Sequence, residues 1–137
     1  MSTVTQASAH PVVPLLARVG LGGLFLLFGI RSLIAFGGSV GYFAKLGFPA
    51  PEAMVVLAIV IQIGAGLALI AGWQTRWAAW LLVAYVLVAA AMAHRYWEYD
   101  PSQYGNQMQH FYKNLAIVGG LLMVAAFGPG RMSVDKR

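Results

Sequence analysis

Cysteine is absent from this 137-residue chain, which removes disulfides, thiolate metal ligands and thiol redox chemistry in one step. Any redox role then needs a bound cofactor or a partner subunit. Charge is nearly as scarce: 9% of residues are charged, and only four of them are acids. A chain so poor in polar side chains cannot clothe a water-soluble domain of its size. A soluble helical bundle would show polar faces recurring at helical period, yet residues 54–71 offer only Gln62 as a polar side chain. The net charge of +5 would suggest nucleic acid in a soluble protein. Here membrane orientation explains it, and no nucleic-acid partner is expected.

What is present is hydrophobic, at 60% of residues. Four apolar stretches cover residues 12–36, 53–73, 77–93 and 111–127. An α-helix needs roughly 17–25 apolar residues to cross a ~30 Å hydrocarbon layer, and helices that satisfy their own backbone are the natural solution there. The expectation is an all-α integral membrane protein, a bundle of four transmembrane helices over residues 12–130. A disordered tail (1–11) precedes it and a basic cytoplasmic tail (131–137) follows.

An even number of spans puts both termini on one side. That side carries Arg18, Arg76, Arg131, Lys136 and Arg137; the other carries Arg31, Lys45, Arg95 and Lys113. Five basic residues against four, out of nine, favours cytoplasmic termini. Residues 19–30 have the length of a signal-peptide core, and Ala35-Phe36-Gly37 passes as a cleavage site. Arg31 between them, and the lack of a basic cluster before Arg18, argue against cleavage.

Pro11 and Pro14 suit a first helical turn, where backbone N–H groups lack partners. Arg18 lies about one turn inside, where it can snorkel to the interface, and Arg31 follows about 20 Å later near the opposite interface. The functional alternative turns one of them inward to a polar partner such as Gln62. Gly37-Gly38-Ser39 and Gly47-Phe48-Pro49-Ala50-Pro51 bracket a short amphipathic stretch, 40–46, expected to lie along the membrane surface. Gly20, Gly22, Gly23, Gly64, Gly66, Gly72, Gly119 and Gly120 are expected to admit close helix approach. The short turn around residues 72–77 implies an antiparallel hairpin, with Trp73, Trp77 and Trp80 as an interfacial belt. Met54, Met92, Met123 and Met132 read as core filler.

The longest polar segment, 94–114, holds both remaining histidines with Tyr96, Trp97, Tyr99, Tyr104 and Tyr112. His94 closes one span and His110 opens the next, so the two share a side. His94, Arg95, His110, Tyr112 and Asn114 supply the donors that a quinone's two carbonyl oxygens need, and histidine can move a proton near neutral pH. The plainer alternative is that both histidines only cap the loop. A copper site on His94, Met108 and His110, or a haem between the histidines, lacks ligand spacing and burial, so no metal site is assigned. No serine–histidine–acid group is evident, Glu98 and Asp100 offset Arg95 and Lys113, and no catalytic residue is assigned. No carboxylate lies within a span, which leaves ion transport without support.

His94-Arg95-Tyr96-Trp97, then His110-Phe111-Tyr112-Lys113-Asn114-Leu115 leading into Gly119-Gly120, then Gly128-Pro129-Gly130-Arg131-Met132-Ser133-Val134-Asp135 follow in order. Together with Arg18, Gly47-Phe48-Pro49 and Gly72-Trp73-Gln74-Thr75-Arg76, this series resembles the DoxX family of small bacterial four-helix membrane proteins, over roughly residues 15–135. The resemblance implies an inner-membrane protein, and some members are linked with membrane redox assemblies. Many members carry a glutamate where this chain has Gln62, and a lysine where it has Ser32; Arg31 is the nearest cation. An amide does not exchange a proton, so a relay at Gln62 is not expected. The resulting expectation is an accessory or anchoring subunit of a quinone-linked redox complex, in contact with the bilayer and a partner subunit, with a homodimer permitted. The alternative is a stand-alone protein that binds a quinone, another small molecule or a metal.

Overall fold

A computed structural model describes residues 10–136. Of the expected tail (1–11), residues 1–9 lie outside the described residues, as does Arg137. The described residues form five α-helices: α1 (Val12–Ile34), α2 (Phe36–Lys45), α3 (Pro51–Ala71), α4 (Thr75–Ala93) and α5 (Pro101–Phe127), with a 3-10 turn at Tyr96–Glu98 before α5. No strand occurs among the described residues. All but α2 are long and apolar enough to cross a membrane. The protein is an all-α, four-span membrane bundle.

α1 packs chiefly on α3, and α4 on α5, with the α3–α4 hairpin joining the two pairs. Although α3 is apolar throughout, its buried residues are Val55, Ala58, Ile59, Gln62, Ala65, Gly66 and Leu69. They recur every three or four positions, so side-chain size rather than polarity selects the packed face. Gly22 and Gly66 bring α1 and α3 into backbone contact: a Cβ on Gly66 would lie 2.8 Å from the Gly22 carbonyl oxygen. Gly20, Gly23, Gly64 and Gly119 instead face open space, so the expectation that they serve close packing fails for them. Equally, Met123 and Met132 are exposed rather than core. The interior between the pairs is built from Phe25, Leu69, Ala79, Leu82, Val86, Leu121 and Val124.

Two boundaries differ from expectation. Gly37-Gly38 does not break the chain. The bend falls at Ala35 (φ −102°, ψ 45°), and α2 starts at the next residue. The backbone ladder continues through it, because Ala35 N–H bonds to Arg31 O at 2.9 Å and Ser39 N–H to Ala35 O at 3.0 Å. Secondly, most of the supposed polar loop, 94–114, is helix. α5 begins at Pro101, so His110 sits inside a helix instead of opening one. Proline at the first helical position and a run of Gln, Met and Asn side chains carry the helix into water. At 1.5 Å per residue its 27 residues span about 40 Å, more than a ~30 Å hydrocarbon layer requires.

Candidate functional site

The two ends of the bundle hold different chemistry. At the terminal end, Arg18 does not snorkel to the interface; it is 1% exposed. Its Nη1 donates to the carbonyl oxygens of Leu69 (3.0 Å) and Ile70 (2.9 Å), its Nε to Pro129 O (2.9 Å), and its Nη2 to Met132 O. Leu69 and Ile70 lie in the last turn of α3, where carbonyls have no partner within the helix. The guanidinium supplies those bonds and draws in the strand of chain after α5. The expected Arg18–Gln62 contact does not form, since Gln62 lies about two turns farther along α3.

Residues 128–136 form a strap across the α3–α4 turn. Val134 N–H bonds to Ala71 O (3.0 Å) and Asp135 N–H to Gly72 O (2.9 Å). The Asp135 carboxylate accepts from Gln74 N–H (3.0 Å), Thr75 N–H (2.9 Å) and the Thr75 hydroxyl (2.8 Å), capping the start of α4. Gly72 is left-handed (φ 71°), and a Cβ there would collide with Ser133 and with Arg18 Nη1. Arg18, Thr75, Ser133 and Asp135 at this end are all engaged in holding elements together.

At the opposite end a cavity of about 710 Å³ lies between the second half of α1, α2, the first half of α3 and the second half of α4. Its walls are mostly apolar, with Phe28, Val55, Ile61, Val88 and Met92 among them. The polar groups on it are Ser32, Ser39, Tyr42, Gln62, Tyr85 and His94. Gln62 and Tyr85 lie near the middle of α3 and α4, at the depth of the bilayer centre. Gln62 is 8% exposed, and no hydrogen bond reaches its amide from any described residue. The amide therefore opens onto the cavity instead of being sealed among the helices. Gly29 sets its position: a Cβ there would lie 3.0 Å from Gln62 Cβ and 2.7 Å from Ile63 Cγ1. Tyr42 adds a neutral hydroxyl from α2, because burial and then nearby Tyr99 push its pKa up.

His94 borders the cavity where α4 ends. Its Nδ1 lies 2.7 Å from Gln107 Oε1; with that oxygen accepting, Nδ1 carries the proton and Nε2 is the acceptor. The His110 ring stacks on it with centroids 5.0 Å apart and planes 27° from parallel, so the ring nitrogens do not converge as a metal or haem would require. Tyr112 belongs to an exposed aromatic cluster with Tyr96, Trp97, Tyr104 and Phe111 around the 3-10 turn. Arg95 lies 3.3 Å from Glu98 but is misaligned for a hydrogen bond, and so exposed a pair contributes little. Asn114 is half-buried, one turn beyond His110 on α5. Arg31 is exposed, with its guanidinium 5.7 Å from the Phe28 ring centroid. Of the sequence candidates, only His94 and Gln62 border the cavity; His110 joins them through the stack. Tyr85 escaped notice, though it is conspicuous as a hydroxyl in the middle of an apolar stretch; Ser32 was noted only for its place beside Arg31, and residues 40–46 only as a surface stretch.

The sequence profile of the DoxX family matches residues 13–95. The chain is 36% identical to the inner membrane protein YphA of Escherichia coli, over 95% of this chain and 93% of that protein. It is 32% identical to the inner membrane protein YqjF of the same organism, over 89% and 88% of the two chains. It is also 32% identical to the ER-derived vesicles protein ERV29 of Saccharomyces cerevisiae, over 82% of this chain but 34% of that larger protein. No solved structure matches.

Proposed function

Because this chain belongs to the DoxX family of membrane proteins, we propose that it is the membrane subunit of a quinone-linked redox assembly. It holds a quinone in the cavity beside α2 and docks a partner on the polar end of α5. The observation that carries this reading is the cavity itself. Its volume of about 710 Å³ falls in the usual range for small-ligand sites, about 300–1,000 Å³, and a few polar groups in an apolar wall are what such sites present. A quinone ring needs donors for two carbonyl oxygens and apolar surroundings for its tail; Gln62, Tyr85, Ser32 and Ser39 supply the first and the helix faces the second. His94 and His110, with Arg95, Tyr112 and Asn114 nearby, serve proton exchange and partner contact where the cavity nears water. Nothing in this arrangement supplies a catalytic centre of its own, so electrons pass to the partner. The termini are cytoplasmic on the count of basic residues, which turns the cavity end outward.

The test is native mass spectrometry of the tagged protein extracted gently from its own membrane, with quinone analysis of the same sample. A stoichiometric redox partner together with bound quinone is the expected result. Quinone without any partner would favour the stand-alone binding protein, for which the same cavity speaks. Neither quinone nor partner would overturn the proposal.

A further inference from the structure

Gln62 is the one buried polar side chain on α3, it borders the cavity, and its amide has no protein partner. Tyr85 borders the same cavity from α4, and no hydrogen bond of its hydroxyl appears among the described residues either. Both stand near the middle of their helices, whereas His94 lies where α4 ends. Helices that bury polar groups in lipid satisfy them across an interface or use them on a ligand. Neither is satisfied by the bundle, although Arg18 at the other end satisfies four carbonyls at once. The unsatisfied pair therefore belongs to what fills the cavity.

The chemistry of the two groups defines that occupant. A primary amide carries donors on nitrogen and an acceptor on oxygen, and a phenol is also both donor and acceptor. Neither is charged, so neither selects an ion. We infer that Gln62, aided by Tyr85, is the specificity-determining residue of this cavity, and that it selects a neutral, lipid-soluble oxygenated ring in its carbonyl and hydroxyl forms alike. Gln62 Nε2 donates to a ring carbonyl in the oxidised form; Gln62 Oε1 accepts from a ring hydroxyl in the reduced form. A carboxylate would accept only and would favour the hydroxyl form, whereas a guanidinium would donate only and favour the carbonyl form. The amide makes the cavity a holding site for both forms and leaves proton exchange to groups nearer water. This inference rests on the quinone reading above.

The test uses the full chain in lipid nanodiscs, with a decyl-tailed benzoquinone and its hydroquinone as probes under anaerobic conditions. Equilibrium binding is corrected by empty nanodiscs. The wild-type protein is expected to bind the two forms with affinities within about threefold of each other. Gln62→Leu should weaken both by about tenfold, the scale of one lost neutral hydrogen bond, and Tyr85→Phe by a smaller factor. A thermal melt of each variant shows that it remains folded, and Tyr85→Phe serves should Gln62→Leu not fold. Unchanged binding of both probes by Gln62→Leu, or a wild-type preference for one form above tenfold, overturns this inference while the quinone reading stands. Wild-type protein that binds neither probe overturns the quinone reading and the inference with it.

Discussion

The two ends of this bundle solve the same problem in opposite ways. Each buries a strongly polar side chain among apolar helices. Around Arg18, four carbonyl oxygens from α3 and the strap converge on one guanidinium, and the space is closed. Around Gln62, α1 still touches α3 at Gly29, but the amide bonds to no described residue and borders a cavity of about 710 Å³. A satisfied polar group within a membrane marks architecture; an unsatisfied one beside empty space marks a place kept for a ligand. The lesson is that burial alone does not separate the two, since both residues are more than nine-tenths buried. Their hydrogen bonds do.

Substitutions that set the ends against each other sharpen this contrast. The largest effect is expected from Arg18→Leu, which removes four hydrogen bonds to backbone carbonyls and loosens the strap. A loss of about 3 kcal/mol or more, from several charge-assisted bonds at roughly 1.5–3 kcal/mol each, should appear in thermal unfolding of the detergent-solubilised protein. Arg18→Lys should recover only part of it, because one ammonium cannot reach all four oxygens. Next is Gly66→Ala, whose added Cβ would lie 2.8 Å from a backbone oxygen of α1. Overpacking of this kind costs about 1–3 kcal/mol, while Gly23→Ala, facing open space, should leave the melting temperature unchanged. Asp135→Ala removes the cap of α4 and should cost about 1 kcal/mol. The smallest effect carries the opposite sign: Gln62→Leu should melt at the same or a slightly higher temperature, since it removes an unpaired buried amide. A large destabilisation by Gln62→Leu would show that Gln62, like Arg18, is structural, and the contrast between the ends would break.

The spans and the α3–α4 hairpin were legible because apolar length and a very short turn carry their own physics. The Arg18 clasp was not. Its acceptors are backbone carbonyls, and a carbonyl is no residue type that a sequence displays; only the helix end exposes it. Gln62 was singled out as the lone polar residue of its stretch, but it was expected to make polar contacts between helices rather than to face a cavity. The extent of α5 was misjudged for a different reason: Gln, Asn and His before Phe111 lower the hydropathy without opposing a helix. Among the glycines, Gly22 and Gly23 are neighbours in sequence yet one meets α3 and the other faces outward, a distinction that exists only once a partner helix is placed. The cavity had no signature at all, since it is made of side chains that stop short.

The clasp also imposes an order on the making of the protein. Leu69 follows Arg18 by 51 residues and Pro129 by 111, so the guanidinium enters the membrane long before the groups that will hold it exist. Three further spans must be synthesised and inserted first. The clasp therefore cannot be complete before the residues after α5 exist, because Pro129 and Met132 supply two of its four acceptors.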